Sequence, residues 1–377
     1  MLPGWCIGSF IKIIQNMKKI ILSSAVLLMS SLIMDAQVPG EDTYIHTDIV
    51  GSEVRKELII PQVNGYQVLK GDFHLHTDFS DGCVWPDYRV REAWYNGLDV
   101  IAITDHLEVL SHDEELDMKK FDYNASSRIA AEEAKYYDLL VVPGIEISRS
   151  KPFGHMNALF VKDSNKADVK DEMDALNAMV EQGAYIIWNH PGWPDDKCTM
   201  YPIHEELIAK GVIKGVEIFN DVESYPIAYD WVKEYGLHPF ANSDAHGPVD
   251  SYYKGLRPMT LLFVNDRSLE GVKEALFAGR TIAFFAGNLM GAEEYVTAMA
   301  QECLESRMLN KMGDAAEYIV TNKSDIPFLI HVDGWEVPML VGPRQTVKSR
   351  FGLNDTVTLK NCIIGKGKYV SIPMEKL

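Results

Sequence analysis

Histidine and carboxylate side chains recur along the chain in spacings that suit metal ligation. The first group lies in the segment Phe73-His74-Leu75-His76-Thr77. Because side chains two positions apart on a strand point to the same face, His74 and His76 can share one metal ion. The other candidate ligands are widely separated in sequence: Asp81, His106, Glu146, His155, His190, Asp244 and His246.

These candidates fall at or beside the ends of predicted β-strands. Apolar, β-prone runs predict strands at 69–75, 99–104, 139–143, 156–161, 184–188, 215–219 and 239–242, with further candidates at 261–264 and 281–285. Amphipathic windows at 86–96, 168–182 and 269–278 predict helices, and a glycine follows each window. The alternation of strands and helices predicts a parallel α/β architecture, and this number of units favours a closed or nearly closed barrel.

In an α/β barrel the carboxyl ends of the strands converge on one face, so these distant residues can meet in one pocket. Six histidines and three carboxylates are too many for one ion, and they predict two or three divalent ions with a bridging carboxylate. Each signal alone has an ordinary explanation, because a single histidine is often a core residue and an aspartate often caps a turn. Their joint occurrence at strand ends predicts a metal site.

The motifs resemble those of a known family. Residues 71–82, Gly-Asp-Phe-His-Leu-His-Thr-Asp-Phe-Ser-Asp-Gly, together with 103–106, look like the opening motifs of the PHP superfamily, the polymerase and histidinol phosphatase domain. Segments 144–146, 154–157, 190–191 and 244–246 match its later motifs in order, so the resemblance covers residues 66–290. It implies a distorted (β/α)7 TIM-like barrel (the PHP fold) with a trinuclear metal site.

The resemblance also implies how the ligands are shared. A first ion would be held by His74, His76, Glu146 and Asp244. Glu146 would bridge to a second ion, which His155 and His190 also bind, and a third would be held by Asp81, His106 and His246. Some family members have histidine where Asp81 stands, and the harder oxygen ligand shifts the preference from zinc toward manganese or iron.

The expected reaction is hydrolysis of a phosphate mono- or diester of a small phosphorylated substrate. A hydroxide that bridges two ions would attack phosphorus while the ions neutralise the developing charge. Asp105 could orient a ligating histidine, and Arg149 is the main candidate for a phosphate-binding cation. Further candidates for the pocket are the cations Lys197, Arg257 and Arg280 and the aromatic residues Trp188, Trp193 and Tyr225.

Two other functions remain open from the residues alone. A metal-dependent amidohydrolase that cleaves a C–N bond also uses a His-x-His pair and a late aspartate, but it often carries a carbamylated lysine as the bridge. Glu146 at the bridging position favours a phosphoesterase. A non-catalytic metal-bound binding module is the second alternative, but structural sites are usually rich in cysteine and no plausible cysteine ligand accompanies these histidines.

The N-terminal segment reads as an export signal. Lys18 and Lys19 precede an apolar run at 20–34, which predicts a signal peptide at 1–36 that is cleaved near Ala36, with Met17 as the predicted true start. The alternative, a membrane anchor, is disfavoured because the run is shorter than the ~20 residues that a spanning helix needs. The protein is therefore expected in the periplasm or outside the cell, without a stable membrane span after cleavage, and residues 37–65 form an irregular lead-in.

The amino-acid composition limits which molecules the protein is expected to bind. The chain has 36 Lys+Arg against 54 Asp+Glu, a formal net charge of −18, which argues against binding to duplex nucleic acid. A small phosphorylated substrate is compatible with this charge because metal ions reverse the local field. The five cysteines show no paired spacing, and the sequence leaves the oligomeric state open.

Near the C-terminus the predicted elements change from alternating strands and helices to short β-prone runs. A predicted helix at 291–311 closes a hydrolase barrel at 66–312. Short β-prone runs follow at 318–320, 328–332, 337–341, 347–351, 356–359 and 369–372, separated by proline and glycine. This pattern predicts a small all-β, sandwich-like domain at 318–377.

Overall fold

The computed structural model describes residues 54–377 apart from 113–115, 117–120, 195–196, 250–252 and 254–255. The first strands are β1 (Gln67–Asp72), β2 (Val100–Ile103), β3 (Leu140–Ser148), β4 (His155–Leu159), β5 (Tyr185–Trp188), β6 (Ile213–Asn220), β7 (Glu223–Ser224), β8 (His238–Asn242), β9 (Met259–Val264), β10 (Thr281–Phe285) and β11 (Asn288–Gly291). The α-helices are α1 (Pro86–Tyr95), α2 (Ala125–Ala134), α3 (Glu172–Val180), α4 (Pro202–Ala209), α5 (Ala228–Glu234), α6 (Leu269–Phe277) and α7 (Glu293–Cys303).

Strands dominate after α7. They are β12 (Leu304–Met312), β13 (Ala315–Asn322), β14 (Phe328–His331), β15 (Met339–Val341), β16 (Thr346–Gly352), β17 (Thr356–Gly365) and β18 (Lys368–Pro373). Short 3-10 helices lie at Ser164–Ala167 and Met374–Lys376.

The main sheet is mixed, whereas the sequence predicted a parallel one. In the described part of the chain this sheet has fifteen strands in the order β15-β14-β17-β11-β10-β9-β1-β2-β3-β4-β5-β6-β7, with β8 paired to β6 and β18 paired to β17. The pairs β1–β2, β2–β3, β5–β6 and β6–β8 are parallel, but β4 is antiparallel to both neighbours and β9 is antiparallel to β1 and β10. The segment 149–154 between β3 and β4 is too short for a crossover, so these strands must form a hairpin.

The sheet curves so that β8 lies near β1 and β9. In the described residues, however, no continuous ladder of main-chain hydrogen bonds joins β8 to either of these strands. Among the described residues, the seam is held by the isolated bridge between Leu75 and Ala245 and by the Thr260 hydroxyl, which bonds to both the N–H (3.0 Å) and the carbonyl (3.1 Å) of Ala241. The mixed α/β class is therefore confirmed, and the exact (β/α)7 closure is not.

Two strands that candidate ligands follow, β2 and β5, are buried on both faces, as is β9. Every residue of β2, β5 and β9 is buried, which explains their continuous apolar sequences. On β6, a Cβ added to Gly215 would lie 2.5 Å from the ring of Phe240 on β8, so the close approach of these strands requires glycine. These buried and closely packed strands support the segments that carry the candidate ligands.

The predicted helix at 291–311 is wrong beyond Cys303. α7 ends there, and residues 304–312 form β12, which pairs with β13 through a tight turn at Gly313-Asp314. Gly313 has a φ of +70°, a conformation that glycine adopts readily. The hairpin pairing overrides a local sequence that is rich in helix-forming residues.

Each β-prone run predicted after residue 317 overlaps one of the strands β13–β18. β14, β15, β17 and β18 continue the main sheet through the parallel pair of β11 and β17, whereas β12, β13 and β16 form a second sheet. Residues of both sheets share one apolar core with strands that precede α7. The boundaries 66–312 and 318–377 stay predictions.

The predicted signal peptide and residues 37–53 of the lead-in lie outside the described residues. The rest of the lead-in contains one isolated bridge, between Val63 and Tyr66, and the buried residues Leu58 and Val63. In the described part of the chain, no helix is both long enough and apolar enough to span a bilayer.

Candidate metal centre

The loop after β1 brings the first two histidines into the interior. β1 ends at Asp72 rather than at the predicted residue 75, so His74 and His76 lie on an extended segment beyond it. The His76 N–H donates to the Ala245 carbonyl at 3.1 Å, which ties this segment to the loop after β8. Both imidazoles are fully buried.

The other candidate ligands come from six further parts of the fold. Asp81 lies in the turn that follows, His106 follows β2, Glu146 lies within β3, His155 begins β4, His190 follows β5, and Asp244 and His246 follow β8. His190 and Asp244 have positive φ values of 22° and 51°. Such strained backbone is concentrated at functional sites, where the surrounding structure enforces it.

The structure brings all nine predicted ligands together. They form four overlapping groups in which the possible ligand atoms lie within 4.8 Å of one another: His76-Asp81-His106-His246, His74-His76-Glu146, His74-His190-Asp244 and His106-Glu146-His155. Because these groups share members, they make one continuous cluster rather than four separate sites.

Glu146 lies at the centre of the cluster and is fully buried. Its Oε1 is 3.4 Å from His74 Nε2, 3.2 Å from His155 Nδ1 and 3.5 Å from His190 Nε2, and its Oε2 is 2.7 Å from His106 Nδ1. Two atoms that are each ~2.1 Å from one ion in tetrahedral geometry are separated by about 3.4 Å. Most of these separations therefore suit atoms that share an ion.

Asp244 and Asp81 extend the cluster on either side. Asp244 Oδ1 lies 2.9 Å from His76 Nε2 and 3.2 Å from His74 Nε2. Asp81 Oδ1 lies 3.2 Å from His246 Nε2 and 3.5 Å from His106 Nε2. The closest histidines of the two aspartates therefore differ, although His76 also belongs to the group around Asp81 and His190 to the group around Asp244.

Several buried atoms of the cluster have no hydrogen-bond partner. They are His74 Nε2, His76 Nε2, Asp81 Oδ1, Glu146 Oε2 and Asp244 Oδ1. His76 Nε2 lies close to Asp244 Oδ1, and His106 Nδ1 lies close to Glu146 Oε2, but neither pair has the geometry of a hydrogen bond. Orphaned polar atoms are costly inside a protein, and divalent cations bound within the cluster would satisfy them.

The carboxylates raise the pKa of most histidines in the cluster. Burial alone would lower the pKa of His74, but Asp244, Glu217 and Glu146 hold it well above its usual value. The same competition between burial and carboxylates raises the pKa of three other histidines: His106, His190 and His246.

His76 is the exception, since burial and the neighbouring His106 lower its pKa to about 4. Burial would raise the pKa of Glu146 and Asp244, but the histidines hold both well below the usual value. Ionised carboxylates beside imidazoles make a donor set that divalent cations bind in exchange for protons.

A cavity of about 400 Å³ opens over the cluster. Its lining combines six of the candidate ligands with Val109, Trp193, Asn220, Asp221, Glu223 and Tyr225. Trp193 stands beside the ligands, with its ring centroid 5.0 Å from that of His155 and 54% of its surface exposed. The cluster is therefore open to a small molecule on this side.

Arg149 and Asp105 are placed outside the cluster. Arg149 lines a neighbouring pocket of about 500 Å³ that His155 and His190 also line, and its Nε lies 2.9 Å from Glu108 Oε1. Asp105 accepts hydrogen bonds from the Thr77 N–H (2.6 Å) and the Ser80 hydroxyl (2.8 Å). It contacts no ligating histidine directly, since Ser80 lies between it and His76 Nδ1 at 3.4 Å.

The further residues that the sequence suggests for the substrate pocket contact different groups from those around the nine candidate ligands. Arg257 is buried against Asp72, and Arg280 pairs with Glu274 on α6. Lys197 lines a groove of about 750 Å³ beside Trp193 and Tyr225. Trp188 is buried in a stack with His204 and Trp231, while the Tyr225 hydroxyl donates to Glu223 at 2.6 Å.

Comparison with solved structures identifies the family. A two-domain protein from Bacteroides vulgatus, which contains a predicted PHP-like metal-dependent phosphoesterase, is 32% identical to this chain. The match covers 86% of this chain and 99% of that one, with a TM-score of 0.80. This chain belongs to the PHP-like metal-dependent phosphoesterases. The family expected from the motifs is thereby confirmed.

Other similarities to this PHP-like phosphoesterase are weaker. A candidate metal-dependent phosphoesterase from Bifidobacterium adolescentis is 15% identical, with a TM-score of 0.40 over 55% of this chain and 95% of that one. An uncharacterized protein of Methanocaldococcus jannaschii is 28% identical over 203 residues, which cover 48% of this chain and 84% of that protein. No protein-family model matches the chain.

Three partners of the ligands in this PHP-like phosphoesterase were not predicted from the sequence. Glu217 Oε1 lies 2.9 Å from His74 Nδ1, the Asn189 amide donates to Glu146 at 2.8 Å, and the Ser148 hydroxyl lies 2.5 Å from His106 Nδ1. A signal for Glu217 existed, because a carboxylate within the apolar run 215–219 has to be buried. Asn189 and Ser148 carry no comparable signal.

Proposed function

We propose that the protein hydrolyses a small phosphate mono- or diester with the help of two or three divalent ions, for which zinc, manganese and iron are the candidates. The convergence of nine candidate ligands around the buried Glu146 carries this proposal. When bound, such ions lower the pKa of a water molecule and neutralise charge on phosphoryl oxygens. Membership of the PHP-like phosphoesterases supports the same reaction class.

The chain supplies the charge that such ions need. Asp81, Glu146 and Asp244 lie among the imidazoles, and Glu217 is hydrogen bonded behind them. These four carboxylates together balance two divalent cations. The His74–His190 rings and the His76–His246 rings are stacked, so the imidazoles hold one another in place.

The cavity limits the ester to a small molecule or to one end of a larger one. Trp193 and Tyr225 line it beside the ligands and offer apolar surface to the organic part of an ester. Arg149, in the adjoining pocket, is the proposed contact for a phosphate oxygen that extends past His155 and His190. Asp105 is proposed to act on His76 through the Ser80 hydroxyl.

We also propose that the protein is exported. The basic pair Lys18-Lys19 and the apolar run at 20–34 support cleavage near Ala36 and a periplasmic or secreted location. Mass spectrometry of the protein recovered from the periplasm or medium should find Gln37 as the first residue. Recovery of the protein only in the cytoplasm, with residues 18–36 intact, contradicts export.

The proposed reaction is tested by a substrate panel. The mature protein is reconstituted separately with zinc, manganese and iron and assayed on p-nitrophenyl phosphate, bis-p-nitrophenyl phosphate, a single-stranded oligonucleotide and p-nitroacetanilide. We expect hydrolysis of at least one phosphoester, loss of that activity in His190→Ala, and normal activity in the matched control His331→Ala, whose histidine lies in β14.

The outcomes separate the alternatives. Hydrolysis of the anilide with no turnover of phosphoesters overturns the proposal in favour of a C–N hydrolase. Bound ions with no turnover of any substrate favour a binding module. Cleavage of the oligonucleotide alone contradicts the small substrate that we propose.

A further inference from the structure

Glu217 is a fully buried carboxylate on β6, directly behind the candidate ligands. Burying a carboxylate in the interior of a sheet is costly unless hydrogen bonds or opposite charges compensate it. Among the described residues its ion-pair partner is His74 rather than a lysine or an arginine. The position of Glu217 therefore needs an explanation beyond ordinary packing.

Both oxygens of Glu217 are saturated by hydrogen bonds. Oε1 lies 2.9 Å from His74 Nδ1 and 2.9 Å from Asn242 Nδ2. Oε2 accepts from the His190 N–H at 2.7 Å and from Asn220 Nδ2 at 2.8 Å. With these partners Glu217 acts only as an acceptor, and it has no lone pair directed at the cluster.

The contact with His74 fixes which ring nitrogen carries the proton. Because Glu217 accepts, the hydrogen lies on His74 Nδ1. Nε2 lies 3.4 Å from Glu146 Oε1 and 3.2 Å from Asp244 Oδ1 and is one of the orphaned atoms of the cluster, so it is the nitrogen left to give up its proton to an ion. A carboxylate behind a histidine in this way orients the ring and strengthens it as a ligand.

The contact with His190 fixes the backbone at a second ligand. His190 has a φ of 22°, and its N–H is directed to Glu217 Oε2. The amides of Asn220 and Asn242 extend the support, since Asn220 Nδ2 also lies 3.4 Å from Asp244 Oδ2 and Asn242 Oδ1 accepts from the Phe73 N–H at 2.9 Å. One carboxylate thus connects ligand segments that follow β1, β5 and β8.

We propose that Glu217 is a positioning residue of the metal centre: it holds His74 with Nε2 directed at the ion and fixes the His190 backbone, without binding an ion itself. This inference rests on the metal centre of the proposed function, but not on the identity of the substrate.

Glu217→Gln is the variant that separates positioning from packing. The amide has the same size, but its NH2 group would face either His74 Nδ1 and Asn242 or the His190 N–H and Asn220. In both orientations donors meet donors, so one ligand segment loses its support whichever way the amide turns. The matched control is Asp99→Asn, a buried carboxylate that precedes β2 and pairs with Arg55 and Lys70 at the opposite end of the strand from His106.

The experiment measures ion binding by competition with a chelating dye, using manganese and zinc, on variants whose folded fraction is first established by urea unfolding. We expect Glu217→Gln to weaken binding of at least one ion by about 10–100-fold, the range seen for such supporting residues. Asp99→Asn should lose stability but keep the affinity of the native protein. Equal affinities in Glu217→Gln and the native protein overturn the proposal, as do equal losses in both variants.

A second measurement needs no variant and covers the case in which Glu217→Gln does not fold. In the zinc-loaded native protein labelled with ¹⁵N-histidine, His74 should show a protonated Nδ1 and a metal-bound Nε2. A metal-bound Nδ1 on His74 overturns the proposal. Because both readouts report ion binding, a native protein that binds ions without hydrolysing phosphoesters contradicts the proposed function and leaves the role of Glu217 intact.

Discussion

Replacing Glu146 by glutamine should remove ions from the cluster selectively. Glu146 belongs to two of the four candidate groups, those with His74-His76 and with His106-His155. The two groups without it, around Asp81 and around Asp244, keep their full sets of ligand atoms. We therefore expect the variant to bind at least one ion fewer than the native protein, rather than to lose all binding.

The size of the effect follows from mass action. An ion present at 100 times its dissociation constant stabilises the folded protein by about 2.7 kcal/mol. If the amide weakens binding 100-fold, the same ion concentration only equals the new dissociation constant, and the stabilisation falls to about 0.4 kcal/mol. The difference, about 2.3 kcal/mol for each affected ion, is readily measured by urea unfolding.

The assay compares the metal-dependent gain in unfolding free energy rather than absolute stability. This choice matters because Glu146 also interacts with protonated histidines, so the variant changes the stability of the ion-free protein as well. Ion content is measured in parallel by elemental analysis. The control is Glu274→Gln, which removes a carboxylate that pairs with Arg280 on the outside of the fold.

An unchanged ion count, together with an unchanged metal-dependent gain in Glu146→Gln, would refute the bridging role of this carboxylate. A loss of the same size in Glu274→Gln would show that the effect is not specific to the cluster.

Three further results are expected. Metal binding should release protons and weaken as pH falls, because the pKa values of His74 and His190 are raised and an ion must displace the protons of these histidines. Calorimetry in buffers of different ionisation enthalpy measures the number of protons released. Ion binding that is independent of pH contradicts this expectation. Asp81→Asn should reduce ion content by one without affecting the ions held by Glu146 and Asp244, and elemental analysis that shows no loss or a complete loss disagrees. Phe240→Ala should lower the free energy of unfolding by about 3–5 kcal/mol, because the buried ring packs edge-on against Phe73, with the ring centroids 5.7 Å apart. A loss of less than about 1 kcal/mol, measured by urea unfolding, would exclude a tightly packed core at this position.

The candidate ligands could be predicted from the sequence because all but Asp81, which lies in a turn after the His74–His76 segment, lie in or close to a recognisable apolar strand. The pairing of strands could not be predicted in the same way. An alternation of strands and helices predicts parallel neighbours, but β3 and β4 are joined by a short hairpin that makes them antiparallel. His155 consequently enters the cluster from the first residue of its strand, whereas His106 and His190 follow theirs.

Other differences arise from tertiary contacts that local sequence does not report. Residues 304–312 contain good helix formers, yet pairing with β13 makes them a strand. The sequence places Arg149 three residues after Glu146, but it does not show that Glu108, two residues after His106, pairs with the guanidinium at the edge of the cluster. Glu217 lies inside an apolar strand rather than at its end, so its position in the sequence indicates burial but not a contact with the ligands.

The central claim, that the nine residues hold a multinuclear metal centre, is tested most directly by anomalous diffraction from crystals soaked in manganese or zinc. We predict two or three peaks within about 2.0–2.3 Å of the named nitrogen and oxygen atoms, at least one of them touching Glu146. A single peak, or peaks only at other sites on the surface, would contradict the multinuclear centre.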